Sequence, residues 1–290
     1  MFERLLATSN KPCFKSERSW ESIELNFSGA KLQLQMPAHD DEFPEEDAAK
    51  GFNIFNPEWY LYPKKTRAEG QIPASGVGIG GSTIKRVWQI YGEIWRLAPI
   101  SEMGASFAVC DFSQLSSRLN CFKRSDFEKL IMYLSYYTDG PGGGDEKYLA
   151  PINWQVRVIN GVEWIYFENW RQRFEEENMR DMHTPDFDSF FIASMFTPLF
   201  SDKCLYFSAW SMSGFPQGPL NRLKFQRIDS IANTFNLHLT PQAVQEQKEI
   251  LAAYPNEHYS VSRKPEIWEY PGSTTDSNKP LVFTPPPSLF

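Results

Sequence analysis

The stretch Ile152-Asn-Trp-Gln-Val-Arg-Val-Ile-Asn-Gly-Val-Glu-Trp-Ile-Tyr-Phe167 decides the fold class of this chain. Apolar residues stand at every second position before and after Asn160-Gly161, which is the period of a strand with two different faces. An Asn-Gly pair between two such runs favours a type I′ turn, because both central residues of that turn need positive φ. We therefore predict an antiparallel hairpin over residues 152–167, with Trp154 and Trp164 placed by strict alternation.

More strands and two helices are predicted after this hairpin. Phe190–Phe196 and Cys204–Met212 have the composition of strands, and a short turn separates them. Apolar residues then recur at helical spacing from Phe225 to Phe235. The pair Thr240-Pro241 predicts the start of a second helix, with the threonine as N-cap and the proline at the first helical position. Strands followed by helices are typical of an α+β protein.

The N-terminal part carries weaker signals of the same kind. Two alternating runs around Gly29, within residues 23–36, predict another hairpin. Residues 84–97 fit a long strand and a helix equally well. Ser125 and Glu128 precede an apolar run at helical spacing, so they have the spacing of a capping box and predict a helix that begins there.

Glycine and proline divide the chain into four parts. Residues 1–138 form an N-terminal α+β region, and 139–147, with four glycines and one proline, form a linker or a long loop. Residues 148–254 form a C-terminal α+β region, and it stays open whether the two regions are separate α/β subdomains. Residues 255–290 form a proline-rich tail, extended on the surface or disordered. Two aromatic residues are candidates for pinning this tail to the body, Trp268 and Tyr270.

Composition and charge exclude several classes of protein. Of the 290 residues, 41% are hydrophobic and 15% aromatic, which is enough for a large core and excludes a disordered chain. The net charge of −7 argues against nucleic-acid binding and favours a basic partner, unless it serves only solubility. The chain opens with no leader-like pattern and has no long apolar run, so we expect a cytoplasmic protein that does not span a membrane. The four cysteines form no C-x-x-C pair and are expected to be reduced.

No motif of catalysis or of cofactor binding stands out. Residues 76–81, Gly-Val-Gly-Ile-Gly-Gly, match the G-x-G-x-x-G pattern of dinucleotide-binding proteins. Pro73 disrupts the strand that such a site requires before its glycines, so the pattern indicates a flexible loop. Neither a G-x-S-x-G elbow nor an H-E-x-x-H motif occurs. We expect no cofactor and no enzymatic activity, although a catalytic site assembled from scattered residues would leave no such pattern.

Two acidic stretches are candidates for a functional surface. His39 to Asp47 holds six carboxylates and no basic residue, a composition that fits a solvated loop, a docking surface for a basic partner or, less well, a metal site. The spacing of an EF-hand is absent and Pro44 interrupts the stretch, so no metal site is predicted. The second stretch, residues 175–188, has Arg171 and Arg173 before it, which favours an exposed charged helix.

The C-terminal region combines four segments in a recognisable order. They are the hairpin part Asn160-Gly-Val-Glu-Trp164, the strand Phe190–Phe196, the strand Lys203-Cys-Leu-Tyr-Phe-Ser-Ala-Trp210 and the helical Phe225-Gln-Arg-Ile-Asp-Ser-Ile231. This order resembles the PsbP-like α/β/α sandwich, and residues 23–36 resemble the start of the same fold. The resemblance implies antiparallel sheets flanked by helices and a protein that binds partners. Bacterial proteins similar to this family include immunity partners of secreted type VI toxins.

This resemblance, the acidity and the lack of catalytic motifs together predict an immunity or antitoxin-like protein. It would bind a secreted effector toxin, such as a nuclease with a basic cleft, and neutralise it by occlusion. The alternatives are an enzyme of unknown chemistry, with the aromatic stretch Phe52–Tyr62 lining a pocket, and a secretion-system adaptor or chaperone. For the partner-binding site we predict steering charge from the acidic loop and buried contact from two aromatic residues. These residues are Asp40, Asp41, Glu42, Glu45, Glu46, Asp47, Trp59 and Tyr60.

Overall fold

The computed structural model shows a strand-rich α+β protein with antiparallel sheets. It describes residues 6–8, 11–14, 19–40, 53–61, 75–93, 95, 98–115, 118–141, 148–171, 191–213, 217–266, 268–269 and 284–289. The helices in these residues are α1 (Arg124–Thr138), α2 (Gln217–Ala232) and α3 (Pro241–Ala253). The strands are β1 (Cys13–Phe14), β2 (Trp20–Phe27), β3 (Ala30–Pro37), β4 (Tyr60–Leu61), β5 (Gly78–Gly80), β6 (Ile84–Tyr91), β7 (Ser101–Asp111), β8 (Tyr148–Ile159), β9 (Val162–Arg171), β10 (Phe191–Phe200), β11 (Lys203–Ser213) and β12 (Asn236–His238).

Nine strands form one large sheet and three form a small one. The large sheet has the order β1-β6-β7-β11-β10-β9-β8, with β5 paired to β7 and β4 paired to β5. The small sheet has the order β12-β3-β2. Strands β7 and β11 pair over eleven residue pairs, from Ser101 with Ser213 to Asp111 with Lys203. Since β7 precedes residues 139–147 and β11 follows them, the N-terminal and C-terminal regions share the large sheet.

The large sheet has a core on each of its faces. One face, named the α2 face, packs against α2 and the small sheet, and Ile228 of α2 shares a core with Phe107 and Phe207. The other, named the α1 face, packs against α1, where Phe127 shares a core with Phe167. Strands buried on both sides have apolar residues at most positions, which matches the sequences of β7, β10 and β11.

The predicted hairpin is confirmed as β8 and β9, joined by Asn160 and Gly161 with φ of 49° and 83°. Alternation counted from the turn puts Trp154 and Trp164 on opposite faces, and this is confirmed, because Trp154 lies in the core of the α1 face and Trp164 in the core of the α2 face. Farther from the turn the register of β8 shifts twice, next to Asn153, a residue with φ of 54°. A bulged edge strand is also a poor template for pairing with other chains.

Other local predictions are confirmed as well. Strands β2 and β3 form the hairpin around Gly29, and β10 and β11 are the two predicted strands, with β10 extending through Pro198. Helix α2 begins before the predicted stretch Phe225 to Phe235 and ends at Ala232, so Phe235 lies beyond it. Helix α3 begins at Pro241, and the Thr240 hydroxyl accepts a hydrogen bond of 3.1 Å from the backbone N–H of Ala243. These elements depend on neighbours in sequence, which is why the sequence predicts them.

Two ambiguous stretches of the N-terminal region are strands. Residues 84–97 contain β6, so the strand alternative is correct there. The flexible loop that the glycine pattern indicates at 76–81 is wrong for its centre, because Gly78–Gly80 pair with β7 and β4. Long-range pairing overrides the local preference of glycine here. Among the described residues, no helix has the length and apolar composition that crossing a lipid bilayer requires. All four cysteines are described and buried, and none of them forms a disulfide bond.

The capping box predicted at Ser125 and Glu128 is wrong. Helix α1 begins one residue earlier, and its N-cap, Lys123, makes no side-chain capping bond. Ser125 instead donates to the carboxylate of Glu257 at 3.0 Å, and Glu128 accepts hydrogen bonds from the backbone N–H and the hydroxyl of Ser260. Both partners come from the segment that follows α3. Hydrogen bonds to residues far along the chain therefore take the place of the capping hydrogen bonds within the helix.

Part of the predicted tail is thereby fastened to the body. Besides the bonds to α1, Glu266 pairs with Ala150 at the edge of β8, and Leu289 is buried in the core of the α1 face. Trp268 packs edge-on against Tyr136 with 6.2 Å between the ring centroids, as expected for a pinning residue. Tyr270 and the linker residues 142–147 lie outside the described residues.

Gly104 on β7 leaves the space that the ring of Trp210 on β11 occupies. A methyl group added at Gly104 would lie 2.2 Å from a ring carbon of Trp210 on β11. Such overpacking costs about 1–3 kcal/mol. We expect Gly104→Ala to lower the free energy of unfolding by that amount in chemical denaturation. Gly81→Ala is the matched control, because nothing lies within 4 Å of the added methyl group. Equal stability of the two variants would contradict the observed packing of Trp210.

Lys224 of α2 is a fully buried amine beneath that helix. In the described residues it donates one hydrogen bond, to the hydroxyl of Ser211, and forms no ion pair. Burial lowers the pKa of Lys224 from 10.5 to about 7. Between these two values the unfolded chain binds more protons than the folded one, so the stability contribution of this residue rises with pH across that window.

Lys224→Met should therefore stabilise the protein at pH 7 by about 1–4 kcal/mol, since an apolar side chain of similar volume replaces a buried unpaired amine. The variant should also lose the rise in stability between pH 7 and 10 that the parent chain shows. Urea denaturation at several pH values measures both effects, with Lys248→Met on the exposed side of α3 as the control. Parallel pH profiles of the parent chain and Lys224→Met would contradict this assignment.

Candidate partner-binding surface

Of the six predicted acidic residues, the described part of the chain contains Asp40. Its backbone N–H donates to the carbonyl of Val87 at 3.1 Å, and its carboxylate accepts from the N–H of Gln89 at 3.3 Å. The preceding His39 accepts a hydrogen bond from the N–H of Val87. Asp40 is therefore held alongside β6. The other five predicted acidic residues lie outside the described residues, and their role stays a prediction. They are Asp41, Glu42, Glu45, Glu46 and Asp47.

The two predicted aromatic residues belong to residues 53–61, named here the aromatic segment. Most of its side chains are exposed, and two are buried. Ile54 and Tyr60 are buried, whereas Phe55, Trp59 and Leu61 are 52%, 39% and 78% exposed. Three large apolar side chains within seven residues are therefore exposed, and they are named here the apolar patch.

Short-range hydrogen bonds shape the aromatic segment. The side chain of Asn56 accepts from the backbone N–H of Glu58 at 3.1 Å and so caps a single 3-10 turn, Pro57–Trp59. Proline at the first position of this turn lacks the N–H that would otherwise need a partner. The chain then extends into β4, where Leu61 pairs with Ile79 of β5. This sequence of turn and strand places Trp59 and Leu61 on the outer side.

Long-range contacts anchor the same segment. The hydroxyl of Tyr60 donates to the carbonyl of Ile54 at 2.6 Å, and the N–H of Ile54 donates to the hydroxyl of Ser28 at 3.0 Å. Tyr60 pairs with Gly80, where an added methyl group would lie 2.9 Å from the carbonyl oxygen of Val109. The glycine pattern thus serves close packing of β5 between the aromatic segment and β7.

Lys203 joins the aromatic segment to the end of the large sheet. Its amine lies 2.7 Å from the carboxylate of Asp111 and 3.1 Å from that of Asp202. It also lies 5.3 Å from the ring centroid of Phe55 and 5.9 Å from that of Tyr60. A buried cation against two rings and two carboxylates is well compensated, so these contacts hold Phe55 and Tyr60 in place.

The surface differs from its sequence prediction in composition. Trp59 is exposed, as a binding residue must be, but Tyr60 is an internal anchor with 7% exposure. Phe55 and Leu61 join Trp59 at the surface and were missed by sequence reasoning. The alternation of positions 59, 60 and 61 carries the signal for Leu61, whereas no local pattern indicates the exposure of Phe55, whose ring also contacts the buried Phe200 with 5.1 Å between the centroids. Glu58 is exposed beside them and gives the patch an acidic neighbour.

Other groups of side chains in the described residues are weaker candidates for a functional site. They contain no group of three or more His, Cys, Asp or Glu side chains that would hold a metal ion. Ser211 and Lys224 combine a hydroxyl with a nearby amine, but both are fully buried and out of reach of a substrate. A cleft of about 480 Å³ is lined by Arg124 and Glu163, whose charges already compensate each other in an ion pair of 2.8 Å. These features leave the aromatic segment as the best candidate surface.

Comparison with known proteins adds no assignment. The chain matches no known protein family, and no curated protein sequence matches it. Its function is therefore inferred from the geometry of its own residues.

Removing the charge of Lys203 tests how the patch is held. Lys203→Met removes the buried amine that lies 2.7 Å from the carboxylate of Asp111, and we expect the unfolding free energy to fall by about 3–5 kcal/mol. Backbone amides of residues 53–61 should also exchange hydrogen faster, because their anchor is gone. Lys31→Met is the control, since its ion pair with Glu24 is exposed and contributes at most about 1 kcal/mol. Unchanged exchange in residues 53–61 would show that Lys203 does not anchor them.

Proposed function

We propose that this chain is an immunity or antitoxin-like protein of the cytoplasm, which binds a secreted bacterial effector toxin and neutralises it by occlusion. One observation carries the proposal. A backbone held by the buried residues Ile54 and Tyr60 presents Phe55, Trp59 and Leu61 to solvent. Large apolar side chains on a fixed backbone are the usual centre of a protein interface, because little entropy is lost when they are buried.

Charge supports a basic partner. The chain carries a net charge of −7, and Glu58 lies exposed within the aromatic segment. An acidic surface around an apolar centre speeds the approach of a basic protein, while the aromatic contacts hold the complex together. A nuclease is a suitable toxin class, since its nucleic-acid cleft is basic and an acidic protein can cover it.

The architecture agrees with the fold that we expect for such a partner-binding protein. Antiparallel strands with helices on both faces agree with the general layout of a PsbP-like sandwich, and we propose that fold relationship for this chain. The alternatives, an enzyme with a pocket lined by residues 52–62 or a secretion-system adaptor, gain no specific support. The aromatic side chains Phe55 and Trp59 point to solvent, and Tyr60 is used internally.

Co-expression tests the neutralisation directly. The gene that adjoins the coding sequence of this chain is expressed alone in a bacterial host and then together with it. We expect growth arrest in the first case and growth in the second, with the two products co-purifying as a complex. A harmless neighbour, or a toxic neighbour whose effect this chain does not relieve, would contradict the proposed function.

The interface is tested by Trp59→Ala/Leu61→Ala in the same complex. Loss of two apolar contacts should speed dissociation and raise Kd at least 30-fold, which corresponds to about 2 kcal/mol for a hot spot. Trp95→Ala is the matched control, because this tryptophan is 76% exposed and lies outside the aromatic segment. Surface plasmon resonance measures both rates. If the control weakens binding as much as the double variant does, the interface lies elsewhere.

A further inference from the structure

Strand β2 is the outer strand of the small sheet, because that sheet has the order β12-β3-β2. In an antiparallel pair, the backbone N–H and C=O of successive residues point alternately towards and away from the neighbouring strand. The two-residue turn Ser28-Gly29 joins β2 to β3, and Phe27 pairs with Ala30 directly across it. Such a closing pair exchanges both of its hydrogen bonds, so the odd-numbered residues of β2 hydrogen-bond to β3.

The far side of β3 confirms this alternation. The backbone N–H of Gln35 donates to the hydroxyl of Thr234 at 2.9 Å, and the C=O of Gln35 lies 3.2 Å from the same hydroxyl. Gln35 therefore points away from β2, and its pairing partner Ser22 points away from β3. The backbone groups of four residues consequently face outward, and no residue in the described part of the chain hydrogen-bonds to them. These residues are Trp20, Ser22, Glu24 and Asn26.

This outer edge of β2 is open to solvent and regular. Trp20 is 38% exposed, and Ser22 and Glu24 are exposed as well. The strand pairs with β3 over eight residues without a bulge, and its sequence contains neither proline nor lysine. Folded proteins usually protect edge strands with such residues or with bulges, as β8 does next to Asn153. An edge without this protection is a template for a further strand.

The charge of β2 selects the kind of strand that binds there. Its charged residues are Glu21 and Glu24, and both side chains are about half exposed. Their ion-pair partners, Arg86 and Lys31, belong to other strands, so β2 itself presents only negative charge to a strand beside it. Opposite charges on facing residues stabilise strand pairing, which favours a segment with lysine or arginine. The net charge of −7 disfavours a second copy of this chain.

An open hollow of about 580 Å³ lies beside this edge, on the face of the small sheet that points to solvent. Ser22 and Glu24 line it from β2, Gln33 and Gln35 from β3, and Asn236 from β12. The hydroxyl, the carboxylate and the amide oxygens of these residues accept hydrogen bonds. Lysine and arginine side chains have donors only, so a basic side chain of an added strand matches the hollow.

We propose that β2 binds an extended, basic segment of a protein partner as a fourth strand of the small sheet. The outward backbone groups of β2 supply main-chain hydrogen bonds, which give affinity with little dependence on sequence. Glu21 and Glu24 select basic over acidic segments, and the hollow receives one long side chain. This edge is separate from the apolar patch, and the proposal does not depend on toxin neutralisation.

Two fluorescein-labelled peptides test the proposal on the purified full chain. The basic peptide is Thr-Lys-Val-Lys-Val-Lys-Val-Thr, and its acidic twin has glutamate in place of each lysine. We expect the basic peptide to bind with a Kd below about 1 mM in fluorescence anisotropy, and at least tenfold more tightly than its twin. If the basic peptide does not bind, or the acidic peptide binds equally well, the proposal is wrong.

Ser22→Pro locates the binding. Proline is tolerated in an edge strand where the N–H faces solvent, and here it removes one outward donor. We expect circular dichroism like that of the parent chain and at least fivefold weaker binding of the basic peptide. Ser22→Ala is the matched control, because it keeps the N–H and should bind normally. Full affinity in Ser22→Pro would place the peptide elsewhere and overturn the proposal.

Hydrogen exchange of the parent chain decides the question if Ser22→Pro does not fold. The amides of Ser22 and Glu24 should exchange quickly in the free chain and become protected by the basic peptide. Unchanged exchange at saturating peptide would contradict the proposal.

Sedimentation velocity of the free chain tests the other occupant of this edge. We expect a monomer. A dimer that Ser22→Pro dissociates would show that a second copy occupies the edge, and the proposed partner segment would be wrong.

Discussion

The pairing of β7 with β11 is the constraint on which the rest of the structure depends. It runs through eleven residue pairs and joins regions separated by about a hundred residues of chain. Once the entropy of closing this long loop has been lost, the neighbouring strands can pair without closing it again. Asp111 and Lys203 form its last pair and their ion pair is buried. The position of Lys203 in turn sets where Phe55 and Tyr60 lie, which links the sheet to the surface that we propose binds a partner.

Small residues decide what packs on each face of this sheet. On the α2 face, Ala105, Ala209 and Ala193 lie in one row across three neighbouring strands. The short side chains leave room for α2, whose Lys224 reaches Ser211 in the next row. On the α1 face, the position of Gly104 is filled by the ring of Trp210. Close packing of protein interiors makes each of these positions sensitive to a single added methyl group.

Sequence patterns predicted the elements that depend on near neighbours. The turn at Asn160-Gly161 and the cap at Thr240 each need only a few adjacent residues, and both are present. The box at Ser125 failed because Glu257, far along the chain, offered its hydroxyl a better partner. At the candidate surface, composition identified Trp59 as a binding aromatic but treated Tyr60 in the same way. The difference between them follows from the alternation of the strand that begins at Tyr60, whose buried hydroxyl donates to the carbonyl of Ile54.

The sequence by itself determined an acidic α+β chain with a defined hairpin, several further strands and a helix start, because periodicity and turn chemistry act over short distances. Tertiary structure alone decided that both regions build one sheet and that the glycines at 78–80 form a strand within it. It also decided that Phe55, Trp59 and Leu61 face solvent together, and that the ring of Trp210 lies on Gly104. The physical reason is that strand order and register are set by which faces become buried, and burial involves residues far apart in the chain.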